Sequence, residues 1–265
     1  MITRKVLTDV VSCSGLDYWG HPSTITFTPM AERGWWWQTA DEVLPIDHRL
    51  LQHRFKRLLL QNEDGEQLNV YEHIGVLRWL GLDNVTIHCP SGWPPYHGRP
   101  YELWELIESK TRIDGLIPFA IRRFETSGVS GMARTEISQG WSDTELRVDV
   151  SIDYPGIGEN SLSWNSGDPV ALVGHLKAYA PAYGKLWSSM APALRLLGIW
   201  KHDHRVSWPH LEPHDLWLQN AASHRLCDML GAMSLLYHTE LPAGHLLSVR
   251  SGHKPDFLAI KNCAR

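Results

Sequence analysis

The stretch "STITFTPM" at residues 23–30 alternates polar and apolar positions, the period-two pattern of a strand with one buried face. Further along, "HRFKRLLLQNEDGEQLNV" predicts two strands joined across the turn-forming Asn62 to Gly65, and "NVTIHC" predicts another short strand. "GWWWQ" reads as a strand with alternating buried rings in preference to a stacking platform for a sugar or base. Between these runs the period changes. Ile74, Leu77 and Leu80, with Trp79 alongside, follow helical spacing, and Gly81 ends the pattern. A rigid loop, "PSGWPPYHGRP", then leads into a second helix over "YELWELIES".

Around residues 111–117 the same succession restarts. "PFAIRRFE", "GMARTEIS" and "TELRVDVSIDY" predict three strands, two helices are expected near 169–179 and 186–197, and a long helix from about Asp215 to Tyr237. The chain closes with "GHLLSVRSGHKPDFLAIKNCA", a strand, a sharp turn holding His253 and a final helix. The second half thus repeats the first in kind. Two α+β domains are expected, residues 1–115 and 116–265.

Composition narrows the function classes. With 265 residues, 43% hydrophobic and 20% charged, the chain has the make-up of a folded globular protein. The opening "MITRKVLTDVVSCSG" lacks an uninterrupted apolar core and no eighteen apolar residues run together, so a cytoplasmic location is expected. Cys13, Cys89, Cys227 and Cys263 are scattered without a CxxC pair, as reduced thiols are. A net charge of −4 argues against duplex nucleic acid as the partner. Neither GxGxxG nor GxxxxGK[ST] occurs, so a nucleotide phosphate would have to be held by side chains.

The 15 histidines make a metal plausible and accidental pairs common, so spacing must decide. In "ASHRLCDML", His224 and Asp228 are four apart, roughly 40° around a helix axis with Cβ atoms about 5–6 Å apart, close enough to converge on one ion. A surface ion pair has the same spacing, so a third ligand is needed. "EH" in "NVYEHIG" is the best source: His73 could ligate while Glu72, about 100° away, addresses water, although Glu72 could equally cap the helix and His73 fill space. His253 lies beside Arg250 and Lys254; it is either a solvated turn residue or a group that meets developing negative charge as an imidazolium and then protonates a leaving amine. "KHDH" (201–204) and "HLEPHD" (210–215) read as loop or surface, and Cys227 as a small buried residue.

In order along the chain, "VYEHIGVLRWLGLDNV", "SHRLCDMLGA" and "SVRSGHKPD" resemble the zinc-dependent UDP-3-O-acyl-N-acetylglucosamine deacetylases of lipid A synthesis. "CSGLDYWGHPSTITFTPM", "WPPYHGRPYELWELIES" and "LRVDVSIDYPGIG" extend the resemblance across nearly the whole chain. It implies two similar two-layer α/β sandwich domains of the ribosomal S5 domain 2-like kind, facing each other with the metal between them. Zn2+, with Fe2+ or cobalt as substitutes in such an N/O site, would be held by His73, His224 and Asp228. Glu72 would be the general base and His253 the general acid. Arg225, standing where the family has a lysine, would bind substrate phosphate together with Lys254 and Lys261. The resemblance further implies a monomer acting on a UDP-linked, 3-O-acylated amino sugar.

Departures from the family pattern leave two alternatives, a paralogue deacetylating another N-acyl amino sugar and a non-catalytic zinc- and ligand-binding protein. Asp17 replaces the histidine of Gly-Leu-His, Ala232 replaces the aspartate of Asp-x-x-Gly-Asp, "LGIWKHDHRVSWP" replaces Gly-Ser-Leu-Asp-Asn-Ala, and "KAYAPAY" stands where an oxyanion-assisting threonine is expected.

Overall fold

Alternation in the first strand pattern becomes burial on one face: Ser23, Ile25 and Phe27 point inward while Thr24 and Thr28 are exposed. The computed structural model describes residues 1–17, 20–54, 57–70, 73–95, 100–120, 124–139, 144–154, 158–167, 180–181, 206–207, 214–250 and 252–263. In chain order the first half contains β1 (Ile2–Leu7), β2 (Val11–Leu16), β3 (Pro22–Pro29), β4 (Trp35–Gln38), β5 (Val43–Pro45), β6 (Leu51–Arg54), β7 (Arg57–Gln61) and β8 (Gln67–Leu68). Helix α1 (His73–Val76), β9 (Leu82–Asp83), β10 (Val85–His88), α2 (Pro100–Glu108) and β11 (Thr111–Ile117) complete it. The second half contains β12 (Phe119–Ala120), β13 (Phe124–Ser130), β14 (Ala133–Gln139), β15 (Leu146–Tyr154) and β16 (Gly158–Asn165). After the short pair β17 (Ala180–Pro181) and β18 (Val206–Ser207) come α3 (His214–Met233), β19 (Leu241–Pro242), β20 (Gly244–Val249) and α4 (His253–Cys263).

Each half carries a five-stranded sheet, ordered β2-β3-β10-β4-β5 in the first and β13-β14-β20-β15-β16 in the second. The order and the strand senses are the same in both. Two antiparallel pairings lead to the strand that comes last in each sheet along the chain, that strand runs parallel to the third, and an antiparallel edge follows. Outside each sheet a short strand that opens the half pairs in parallel with one just before the fifth strand, β1 with β9 and β12 with β19. Strand β11 pairs with β1 through Ile117, so residue 115 falls inside a strand of the first half and the changeover comes at Pro118.

Several elements differ from the sequence expectation. The helix expected to run up to Gly81 is one turn long, and then tightens into successive i→i−3 bonds, from Leu77 N to Ile74 O (3.1 Å) through Gly81 N to Arg78 O (3.1 Å). At Gly81 φ is +101°, and a Cβ would stand 2.2 Å from the Thr3 carbonyl, so only glycine closes this turn. "HRFKRLLLQNEDGEQLNV" forms three strands, β6-β7-β8, in place of two. "PFAIRRFE" is shared between two sheets as β12 and β13. Strand β16 was not expected, because only Trp164 is buried along its polar edge-strand sequence. His253 begins a helix instead of sitting in the turn before it. The helices expected near 169–179 and 186–197 lie outside the described residues. Trp35 and Trp37 are buried on β4, as alternation predicts.

The buried apolar residues form one cluster drawing on both halves. Helix α3 runs through it and is buried on every side from His224 to Met233, which explains why its sequence lacks a polar face. The segment just after it is held by the first half: Arg78, fully buried, donates from Nη1 to Ser234 O (2.6 Å) and Tyr237 O (2.7 Å) and from Nη2 to His238 O (2.5 Å), satisfying buried carbonyls of the turn that follows the helix. Burial lowers the Arg78 pKa to about 10, still charged at neutral pH. Trp79 Nε1 donates to Leu230 O at 2.8 Å, and its ring meets Trp164 edge-on. Among the described residues no helix is long and apolar enough to cross a membrane.

Candidate functional site

Helix α3 places His224 and Asp228 one turn apart, both buried, with His224 Nε2 3.6 Å from Asp228 Oδ2. The first residue of α4, His253, brings its Nε2 to 3.9 Å from the same oxygen. These separations exceed hydrogen-bond length. Two ligands held about 2.0–2.1 Å from a tetrahedral zinc lie roughly 3.3 Å apart, so the His224–Asp228 spacing fits one edge of a coordination tetrahedron better than a direct bond.

A buried ion pair sets the angle between the two helices. Arg225 pairs with Asp256 of α4, donates from Nε to Ser248 Oγ at 3.0 Å, and keeps Nη1 3.7 Å from Asp228 Oδ2. Asp256 also accepts the Thr135 hydroxyl at 2.7 Å, joining α4 to β14. Pro255 in the first turn of α4 costs no helical bond there. Arg225, which the resemblance implies would bind substrate phosphate, has its side chain only 4% exposed and directed at these carboxylates.

His73 opens α1, is buried, and lies with Nε2 3.2 Å from Pro95 O. If Nε2 donates there, Nδ1 carries the lone pair, the arrangement in which a backbone carbonyl orients a metal-binding imidazole. Helix α1 packs on α3 with Gly75 against Gly231, where a Cβ on Gly75 would be 2.7 Å from Gly231 O. Among the described residues, however, no three His, Cys, Asp or Glu side chains gather in a geometry that could hold a metal ion. The pair on α3 fits zinc as an edge, and His73 is on the neighbouring helix. Glu72 lies outside the described residues, as do 201–205, 208–213 and most of "KAYAPAY".

The surroundings are cationic. Burial, followed by the charges of Arg225, Arg57, His224 and His53, pushes His253 well below the ordinary imidazole range. These groups weaken the hold of the His253 imidazole on its proton. Arg57 of β7 stacks over Trp93 at 5.9 Å from the ring centre. Burial and then Lys254 lower the pKa of His53, and Lys254 itself is exposed. Lys261 turns elsewhere: its Nζ donates to His48 O at 3.0 Å, bridging α4 to the loop before β6, and burial lowers its pKa. The sequence reading passed over His53, Arg57 and Trp93. The density of basic residues in "HRFKR" was the available signal.

Two family departures have a local account. Asp17 closes the turn between β2 and β3 by accepting His21 N at 2.9 Å, and Ala232 fills a fully buried position on α3. No protein-family model matches the chain and no curated protein matches its sequence, so its likeness to the deacetylases rests on the residues quoted above and on nothing wider.

Proposed function

We propose that the protein is a metal-dependent amide hydrolase that removes the N-acetyl group from a UDP-linked, 3-O-acylated N-acetylglucosamine in the cytoplasm, each half being a two-layer α/β sandwich facing the other. The observation that carries the reading is the approach of His224 and His253, from two different helices, to one oxygen of Asp228. His73, His224 and Asp228 would hold zinc, which when bound polarises the amide carbonyl and makes water easier to deprotonate. Glu72 takes a proton from the attacking water. His253 is the general acid: as an imidazolium it faces the developing negative charge and gives its proton to the departing amine nitrogen, a donation that its lowered pKa favours, and the proton held by Glu72 balances the loss. Arg57 and Lys254 supply positive charge for an anionic substrate.

A second reading, a zinc- and ligand-binding protein without turnover, is favoured by the apolar burial of Ala232, which leaves that helix position without the family's carboxylate. Metal analysis and acetate release from the UDP-sugar separate the two. The hydrolase contains one zinc, and Glu72→Gln lowers its turnover at least about a hundredfold while retaining the metal. Zinc uptake without acetate release supports the binder, and absence of zinc refutes both.

A further inference from the structure

We infer that Ser23 and Ser91 are positioning residues for His73: they clamp Trp93, and through two prolines the Pro95 carbonyl holds the imidazole in its Nε2–H tautomer. What this does for zinc rests on the hydrolase reading. The Trp93 carbonyl accepts the Ser23 hydroxyl at 2.5 Å and the Ser91 hydroxyl at 2.9 Å, and the Trp93 N–H donates to Ser91 Oγ at 3.1 Å. A carbonyl oxygen has two lone pairs, so both hydroxyls are accommodated. Ser23 is buried on β3, whereas Ser91 is exposed in the turn that Gly92 N closes on Cys89 O at 2.9 Å. That turn closes without Ser23, which reaches Trp93 from 70 positions away.

The prolines carry the constraint onward. Ring closure fixes φ at Pro94 and Pro95, and a residue that precedes proline is confined to extended ψ. From the Trp93 carbonyl to the Pro95 carbonyl, ψ of Pro95 is then the one torsion without such a limit. Pro95 is itself buried beside β2, where a Cβ on Gly15 would stand 3.2 Å from Pro95 Cβ. Its carbonyl lies 3.2 Å from His73 Nε2 and can only accept, so Nε2 is the protonated nitrogen and Nδ1 keeps the lone pair. Asn69, four residues before His73, donates from N to Gly92 O at 2.9 Å, which joins the two segments at a second point. The clamp thus decides which ring nitrogen can meet a metal.

Nitrogen-15 NMR of the zinc-free full chain, labelled in histidine and held at neutral pH, reads the tautomer, with His73 assigned by the signals lost in His73→Gln. Zinc affinity by chelator competition reads the consequence. Wild-type His73 is expected to be protonated at Nε2 alone. Ser91→Ala, at an exposed position where truncation leaves the fold intact, and Ser23→Ala are expected to mix the tautomers and weaken zinc binding about tenfold. Ser91→Thr, which keeps the hydroxyl, is expected to restore both. A purely structural role would lower the unfolding temperature and leave both readings unchanged. Wild-type His73 protonated at Nδ1 overturns the inference, and so does a folded Ser91→Ala chain with an unmixed Nε2–H signal. Mixed tautomers with undiminished zinc affinity uphold the clamp and remove His73 from the ligand set. Wild type that takes up no zinc refutes the hydrolase reading, and the tautomer alone then decides the clamp.

Discussion

Asp149 on β15 gathers three donors: the Ser163 hydroxyl at 2.5 Å, His245 Nε2 at 2.6 Å and Arg147 Nε at 3.0 Å. Burial alone would raise its pKa. The bonds from Ser163, His245 and Arg147, with the arginine's charge, outweigh that and hold the carboxyl below the usual range. A carboxylate with a lower pKa folded than unfolded contributes fully above its unfolded value of about 4, and the contribution is lost as the pH falls through the folded value. Asp149→Asn is accordingly expected to cost about 1 kcal/mol at pH 7, the value of a surface-near polar network. Urea unfolding at pH 7 and pH 3 checks this, and the gap between wild type and variant should narrow at the lower pH. Buried Arg225 illustrates a limit of residue-level reading. Its charge was visible in sequence, but its partner Asp256 lies 31 positions away, and nothing local announces that pairing.

Among the elements, the α1–α3 crossing matters most, because it sets how far His73 stands from His224 and Asp228. Glycine permits the close approach: a Cβ on Gly75 would stand 2.8 Å from Ser234 Oγ and 2.9 Å from Gly231 Cα, besides its clash with the Gly231 carbonyl. Gly75→Ala is expected to destabilise the fold by about 2 kcal/mol, as overpacking does. It should also weaken zinc uptake measured by equilibrium dialysis, since displacing α1 displaces His73. Unchanged zinc affinity in a destabilised variant would remove His73 from the ligand set. The elements legible in sequence were those with one buried face, such as β3 and β4. Strand β16 went unread because its edge position buries little, and α1 was overextended because apolar spacing continues through a turn built from tighter bonds.

Across the whole molecule, the apolar cluster and the bonds from Arg78 and Trp79 to the end of α3 and the turn after it join the halves more tightly than a two-domain description suggests. The chain is expected to unfold in one transition, superimposable by far-UV circular dichroism and tryptophan fluorescence. Two resolved transitions would show that each half keeps a core of its own.

By itself the sequence determined the period of strands such as β3 and β4 and the helical pair His224 and Asp228, because each depends on near neighbours and on the fixed repeat of a strand or helix. Only the tertiary structure decided that both sheets share one strand order, that Arg225 pairs with Asp256 of another helix, and that His253 lies among charges that lower its pKa. Those outcomes depend on which distant segments share a buried space, where charge and solvent access are set by packing that no local pattern encodes.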